Sequence, residues 1–511
     1  MHDLLLRDGI VHDGLGGAPR HADVAIADGR VAAVGRDLGP ARRVIDVSGL
    51  LVSPGFVDPH SHSDTVPFLE EPQPFKLLQG VTTEIVGNCG FSCGPVDPES
   101  RSFLPAELAG AAFATLGDYL DAAEAAGPSN NLAVLAGHNT LRLAAAGMSA
   151  EITPDRLARM CELAAQSFEA GAVGLSSGLE YVPGAYADLE ELVALALVAK
   201  RWDLPYATHM RSESEGLADA LDEAIAVARR AGVRLQVSHC KASGRAVHGA
   251  SAMVLDKLAQ ARRAGVDVRA DVYPYLAFGT MLVAVLPPIA CEGGEQALLE
   301  RLGDPAGRAA LRALAEDPAT GTGVGFWREL HPSDVQILVH NDPGIEGRRL
   351  SDLGGDPWEA LCDLVRLDPQ ASGVFHTMHE RDLAAFLADP LISIGSDNGP
   401  PVGPNHPRTF GTFPTYLGTY VEKEDMPEAI RKLSSAVAAQ FGLAGRGWLG
   451  PGAIADLCVF DPVTIGHAGT YESPDVRPTG VEHVFMAGRQ VVAGGEFTGG
   501  RHGRMLRRGA R

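Results

Sequence analysis

Residues 50–64 read Leu50-Leu51-Val52-Ser53-Pro54-Gly55-Phe56-Val57-Asp58-Pro59-His60-Ser61-His62-Ser63-Asp64. The apolar run 50–57 predicts a buried strand ending in two histidines one residue apart. Residues i and i+2 of a strand face the same way, so both imidazoles converge at the strand's C-terminal end. Neutral imidazole suits zinc and its neighbours in the transition series. Two imidazoles are not a site, because a metal centre takes three or four ligands. The remaining donors must stand at the ends of other strands.

Outward from this stretch, strand-like runs alternate with helical ones. Strands are expected at 56–58, 82–86, 132–136, 173–176, 206–209, 235–238, 266–272 and 392–396. Ala/Leu/Glu/Arg-rich helical stretches fall between several of them, at 154–170, 189–201, 216–231 and 251–264. Such alternation implies a parallel sheet with crossover helices, and eight strands suggest a closed (β/α)8 barrel of the α/β class. Two more strand candidates, 335–339 and 374–376, exceed that count. The stretch 281–347 breaks the rhythm and reads as an inserted subdomain. Both ends of the chain read as short strands, with a two-residue hairpin signal at Asp28-Gly29 and another turn at Ala487-Gly488. Each end is too small to hold a core, so the economical solution packs them together as one small β-sandwich. The expected organisation is therefore 1–54 and 446–498 as the two sandwich halves, 55–445 as the barrel with its insertion, and 499–511 as a frayed basic tail.

The 511 residues are 45% hydrophobic and 21% charged, a globular balance, and their formal charge of −21 argues against nucleic acid or an anionic membrane as partner. No apolar run approaches the ~18 residues that span a bilayer. The first eight residues lack the basic start and long apolar core of a signal peptide. Seven cysteines, an odd number, fit a reducing compartment, so a cytoplasmic location is expected.

In barrels of this kind the chemistry sits at the C-terminal strand ends. Standing there are His60 and His62, Cys89 in Gly87-Asn88-Cys89-Gly90, His209 in Thr208-His209-Met210-Arg211, His239 in Ser238-His239-Cys240-Lys241, and Asp397 in Gly395-Ser396-Asp397-Asn398. Each closes an apolar run and opens a polar loop. One histidine at a strand end is commonly structural; four histidines, a cysteine and an aspartate at this recurring position point to a metal centre.

With Asp58-Pro59-His60-Ser61-His62 and Gly80-Val81-Thr82-Thr83-Glu84-Ile85-Val86-Gly87-Asn88-Cys89-Gly90, the chain resembles the amidohydrolase superfamily, and within it the zinc-dependent N-acyl-D-amino-acid deacylases (D-aminoacylases). Further matching pieces are Gly174-Leu175-Ser176-Ser177-Gly178-Leu179-Glu180-Tyr181, Asp271-Val272-Tyr273-Pro274-Tyr275, His406-Pro407-Arg408 and Gly411-Thr412-Phe413-Pro414. The resemblance implies a tight zinc site at Cys89, His209 and His239, and a weaker second position at His60 and His62 bridged by Cys89. It implies Asp397 as the catalytic aspartate and a metal ligand, and Lys241, Tyr273 and Arg408 as contacts for the substrate's carboxylate and carbonyl. The implied reaction is hydrolysis of an N-acyl-D-amino acid, a small-molecule substrate, by zinc-activated water, with Asp397 as general base and then acid. Two residues depart from the family's pattern. Asn398 stands where glycine is usual, and Thr415 where arginine is expected.

Other readings compete. Gly174-Leu175-Ser176-Ser177-Gly178 matches the G-x-S-x-G nucleophile elbow, but a proline-containing loop follows where the elbow needs a helix. A cyclic-amide hydrolase of the hydantoinase or dihydroorotase kind shares the barrel and the metal logic. A non-catalytic scaffold derived from the same fold is the third possibility, against which stand the filled ligand positions.

Overall fold

The computed structural model describes residues 1–97, 101, 104–320 and 325–509. Eight parallel strands form its centre: β1 (Phe56–Asp58), β2 (Val81–Val86), β3 (Asn131–Gly137), β4 (Gly174–Gly178), β5 (Tyr206–His209), β6 (Leu235–Val237), β7 (Val268–Val272) and β8 (Ile392–Ile394). Their residues are almost uniformly buried, as strands covered on both faces must be, the polar ones such as Thr83, Glu84, Ser176 and Ser177 included. Each strand pairs parallel with the next from β1 through to β8, with one shift of register between Phe56 and Val57. Closure is made beyond the regular strands. Ser61 bridges Asn398, the Asp397 amide donates to the His60 carbonyl (2.8 Å), and the His62 amide donates to the Asn398 carbonyl (2.9 Å). The segments carrying His60, His62 and Asp397 are thus themselves the join of the barrel.

Crossover helices cover the outside, among them Pro154–Ala170, Leu189–Lys200, Leu217–Ala231 and Ser251–Arg263. The first two start on side-chain caps, Thr153 accepting from the Arg156 amide and Asp188 from the Glu191 amide. The two ends of the chain join in one nine-stranded sheet, Leu457–Phe460 running antiparallel to Leu51–Pro54. Leu6, Val24, Val52, Leu457 and Phe485 share its core.

The insertion is wider than the expected 281–347. A three-stranded antiparallel sheet sets Phe278–Met281 and Val335–Val339 on either side of Ser372–Phe375. The two surplus strand candidates belong to this sheet and not to the barrel. Its own core holds Phe278, Phe326, Trp358 and Phe375, with Phe278 and Phe375 stacked at 4.9 Å. The stretch expected to fray is also held. Arg501 donates to the Pro67 carbonyl (3.0 Å) and the Gly127 carbonyl (3.2 Å). Leu506 donates to the Leu132 carbonyl (2.7 Å), and Arg508 to that of Gly171 (2.9 Å). Residues 510 and 511 lie outside the described residues. Among the described residues, no helix is long and apolar enough to cross a membrane.

Beneath the strand ends lies a buried ionic knot. Lys76 Nζ donates to Asp58 Oδ2 (2.5 Å) and Ser396 Oγ (2.7 Å), with Glu84 at 3.4 Å. Asp58 Oδ1 in turn accepts the amides of His60 (3.1 Å) and Ser396 (3.0 Å). One cation therefore ties together the segments carrying His60 and Asp397. Lys76→Met keeps most of the volume and leaves two buried carboxylates without their cation. It is expected to cost about 3–5 kcal/mol, the scale for breaking a buried ion pair from one side. Chemical unfolding of the variant beside the wild type checks this, and an unchanged transition midpoint would dismiss it.

Candidate metal centre

Three of the expected site residues sit in the left-handed backbone region, which side chains seldom adopt: Cys89 (φ 51°), His239 (φ 33°) and Asp397 (φ 50°). These sharp turns at the ends of β2, β6 and β8 aim the side chains inward. The Cys89 turn is enforced by its glycines. Gly87 and Gly90 have φ of 76° and 80°. A Cβ on Gly87 would lie 2.4 Å from the Leu135 carbonyl oxygen, and one on Gly90 2.3 Å from Asn139 Oδ1. Ser176, the serine of the nucleophile-elbow match, is spent on the same turn. Its hydroxyl donates to the Gly87 carbonyl (2.5 Å) and accepts from the Gly90 amide (3.2 Å).

The donors converge. Cys89 Sγ lies 3.3 Å from His60 Nε2, 3.5 Å from His239 Nε2 and 3.8 Å from His209 Nδ1. His209 Nδ1 and His239 Nε2 are 2.8 Å apart. Asp397 Oδ1 is 3.4 Å from His60 Nε2 and 3.3 Å from His62 Nε2. One donor atom each from His60, Cys89, His239 and Asp397 lies within 4.8 Å of all the others. His62 is the most open of the set, its side chain 24% exposed. The structure therefore brings together all six expected ligands.

Carboxylates hold the outward ring nitrogens of His209 and His239, and one stands near that of His60 without a hydrogen bond. His209 Nε2 meets Glu180 Oε2 at 3.0 Å, His239 Nδ1 meets Glu213 Oε1 at 2.8 Å, and His60 Nδ1 lies 3.6 Å from Asp271 Oδ1. A carboxylate behind an imidazole fixes the tautomer that turns a lone pair toward the centre, as around metals. Burial holds His60 and His239 well below the ordinary imidazole pKa and brings His209 down to about 4. Burial likewise pushes the Cys89 thiol up. Neutral imidazoles crowded around a thiol are a donor set for a soft or borderline divalent cation, which would displace the thiol proton. The residues fit zinc.

Beside the donors, Lys241, Tyr273 and Arg408 gather as expected. Arg408 lies over the Tyr273 ring at 4.8 Å and Lys241 at 5.8 Å. Lys241 Nζ donates to Glu213 Oε2 (2.5 Å); burial alone would lower its pKa, but Glu213 keeps it above the ordinary value and charged. Arg408 is not free, its Nη1 lying 2.8 Å from Asp397 Oδ2 while Nη2 donates to the Gly279 carbonyl (3.3 Å). Burial pushes Asp397 up, but Arg408, His239, His62 and His60 outweigh it and hold the carboxyl well below the usual range. The Tyr273 hydroxyl is buried with no hydrogen-bond partner among the described residues, a donor waiting for an acceptor. Thr415 Oγ1 pairs with the Tyr275 hydroxyl at 3.2 Å, and Asn398 Oδ1 accepts from Ser396 Oγ at 2.6 Å, so both departing residues brace the loops around the site.

Other histidines are accounted for structurally. His406 accepts the Arg408 amide (3.0 Å) and reaches the Ala277 carbonyl (3.0 Å), while His138 pairs with Glu191 (2.7 Å). Sequence reasoning missed the bracing parts of Glu180 and Asp271, although both lie inside segments it singled out. Arg211 and Glu213 do not pair with each other: Arg211 binds Glu223 (3.0 Å), and Glu213 serves His239 and Lys241.

Comparison with known proteins agrees with this geometry. Residues 43–492 match the model of the Amidohydrolase family. The chain is 35% identical to a D-aminoacylase of Alcaligenes xylosoxydans xylosoxydans, across 99% of its own length and 98% of the relative's. It is 36% identical to an N-acyl-D-glutamate deacylase of the same organism, across 99% and 97%. Among solved structures, an N-acyl-D-glutamate deacylase from Bordetella bronchiseptica, complexed with zinc and a phosphonate mimic of the tetrahedral intermediate, superposes with a TM-score of 0.84. The two are 33% identical over 99% of both chains. An L-hydantoinase from Arthrobacter aurescens, at 17% identity and a TM-score of 0.60, shares the fold alone. With a family match over most of its length and full-length relatives above 30% identity, the chain belongs to the amidohydrolase family.

Proposed function

We propose that this protein is a zinc-dependent deacylase that hydrolyses the linear amide of N-acyl-D-amino acids, releasing a carboxylate and a D-amino acid. The observation that carries it is the convergence of Cys89, His60, His209 and His239 beside an aspartate–arginine pair and a buried tyrosine hydroxyl. Cys89, His209 and His239 would hold zinc tightly, with His60, His62 and Asp397 offering a weaker second position. When bound, zinc supplies Lewis acidity to the scissile carbonyl and lowers the pKa of water toward neutrality. The residues supply the rest. Asp397, kept ionised above all by Arg408, takes the proton of the attacking water at a carboxylate oxygen and passes it to the departing amine. Tyr273 donates its hydroxyl hydrogen to the substrate's carbonyl or carboxylate. Lys241 and Arg408 attract the substrate's own carboxylate.

The full-length likeness to two deacylases, with a hydantoinase sharing the fold alone, supports the open-chain amide over a cyclic one. The filled donor set supports an enzyme over a scaffold. The expected result is about one tightly held zinc per chain by elemental analysis and turnover of N-acetyl-D-amino acids well above their L counterparts and above hydantoins. Equal or better turnover of hydantoins would overturn the substrate class, and metal-free active protein would overturn the centre.

Arg408 gives a finer test. Arg408→Ala is expected to cost about 2–5 kcal/mol in kcat/KM on an N-acyl amino acid, the scale for truncating one partner of a buried charge pair. Part of that loss persists on the corresponding N-acyl amino amide, because Asp397 also loses a partner. The excess on the acid measures the carboxylate clamp. Equal losses on acid and amide would assign Arg408 to Asp397 alone.

A further inference from the structure

In the terminal sheet, Leu457–Phe460 and Val481–Met486 pair antiparallel, yet the loop 461–480 between them far exceeds the ~2–5 residues that a hairpin needs. Its neck is closed. The amides of Gly466 and Thr479 donate to each other's carbonyls (3.3 and 2.9 Å), and His467 Nε2 donates to the Val476 carbonyl (2.9 Å). At the tip the Thr470 amide donates to the Ser473 carbonyl (3.0 Å), a turn that carries Tyr471 away from the sandwich. The Tyr471 ring stands edge-on to two imidazoles. One is His376, which follows the subdomain strand Ser372–Phe375, at 4.8 Å; the other is His406, two residues before Arg408, at 5.0 Å. Nearer the neck the loop abuts the helix Arg408–Thr415. A Cβ on Gly411 would lie 2.0 Å from His467 Nδ1, so the imidazole seats where a side chain is missing.

His406 is the link to the site. Its Nδ1 accepts the Arg408 amide (3.0 Å) and its Nε2 donates to the Ala277 carbonyl (3.0 Å), while the Tyr275 ring stands edge-on at 5.4 Å. Burial, then Arg408, hold its pKa well below the ordinary imidazole value, so the ring is neutral and each nitrogen keeps one role. The chain just before it offers little else to hold. Pro400, Pro401, Pro404 and Pro407 have no amide to donate, and Asn405 Nδ2 binds carbonyls of the same segment, those of Pro400 and Gly403 at 3.2 Å. We infer that the loop 461–480 braces the carboxylate clamp, with Tyr471 as a positioning residue that acts on Arg408 through His406. The inference rests on the deacylase reading and extends it to the C-terminal half of the sandwich. Arg408 Nη1 stands 2.8 Å from Asp397, and a guanidinium shared between an aspartate and the substrate's carboxylate works only within a fraction of an ångström of its place. Without the Tyr471 ring, one face of His406 is unsupported and that place is lost.

A double-mutant cycle on the full-length, zinc-loaded protein, with N-acetyl-D-amino acids as substrates, tests this. Tyr471→Ala should lose about 10-fold in kcat/KM, chiefly through KM, the scale of one aromatic contact. Tyr471→Phe, which keeps the ring, should keep most of the activity. In an Arg408→Ala background, Tyr471→Ala should cost less than about 2-fold, because the residue it acts through is gone. Gly411→Ala, which displaces His467, should show the same dependence on Arg408. A Tyr471→Ala loss of equal size with and without Arg408, or no loss at all, would overturn the inference. Hydrogen exchange over residues 406–412 gives a reading that needs no substrate. It should quicken in Tyr471→Ala, and unchanged exchange there would remove the brace. If the wild type turns over no N-acyl-D-amino acid, the deacylase reading falls, while faster exchange in the variant still upholds the loop as the support of the Arg408 segment.

Discussion

Cys89→Ala is expected to lose both the metal and the activity, whereas Cys93→Ala, four residues on, keeps most of each. Cys89 Sγ stands within 3.3–3.8 Å of three imidazoles that come from three different strand ends. It is the only thiol in the donor cluster among the described residues, and on ionising it would bring the negative charge that three neutral rings cannot. Thiolate ligation also selects zinc over magnesium or manganese. Removing it leaves neutral imidazoles without the thiolate that offsets the cation's charge in a buried site. The loss of metal affinity should exceed the ~10–100-fold that an outer-shell partner of a ligand is worth. Cys93 lies in the apolar core and is not among the converging donors. Zinc content and turnover measured on both variants decide the matter. A Cys89→Ala protein that retains stoichiometric zinc would remove the cysteine from the centre.

Much of this was legible in the chain because a parallel barrel writes its strands as short, largely apolar runs alternating with helical stretches. All eight expected strands lie in the barrel, and the donors do stand where those runs end. The period-two argument for His60 and His62 reached the right outcome by a looser route. The regular strand stops at Asp58, and the two rings, 5.4 Å apart, converge because Ser61 continues the pairing across to Asn398. The insertion was harder to delimit because an apolar run such as Val335–Val339 looks the same whether its partner is parallel or antiparallel. What separates the two is pairing with Ser372–Phe375, a contact between positions far apart in sequence. Glu180 and Asp271 were invisible as braces for the same reason, since Glu180 meets the His209 ring and Asp271 accepts the His239 amide, each from another strand. The basic run 501–508 gave no periodicity to read, although its arginines and amides cap carbonyls at Pro67, Gly127, Leu132 and Gly171.

Asp397→Ala is expected to bind zinc nearly as tightly as the wild type and to lose about 10²–10⁴-fold in kcat, the range for a general acid–base group. The tight ligand set, Cys89, His209 and His239, does not include Asp397, whose nearest contacts are to His60, His62 and Arg408. Metal retention and turnover should therefore come apart in this variant. Asp397 is suited to the base because Arg408, foremost among its neighbours, holds it ionised despite its burial. The left-handed turn on which it stands holds the carboxylate at the barrel's join, between His60 and Arg408. The alanine variant also leaves Arg408 without its partner, so substrate affinity should not fall and can rise as the guanidinium turns to the substrate's carboxylate. Asp397→Asn, which keeps the shape but cannot take a proton, should match the alanine variant in kcat. Full turnover in either zinc-loaded variant would move the proton to another group. Loss of zinc in step with activity would instead make Asp397 a ligand of the tight site.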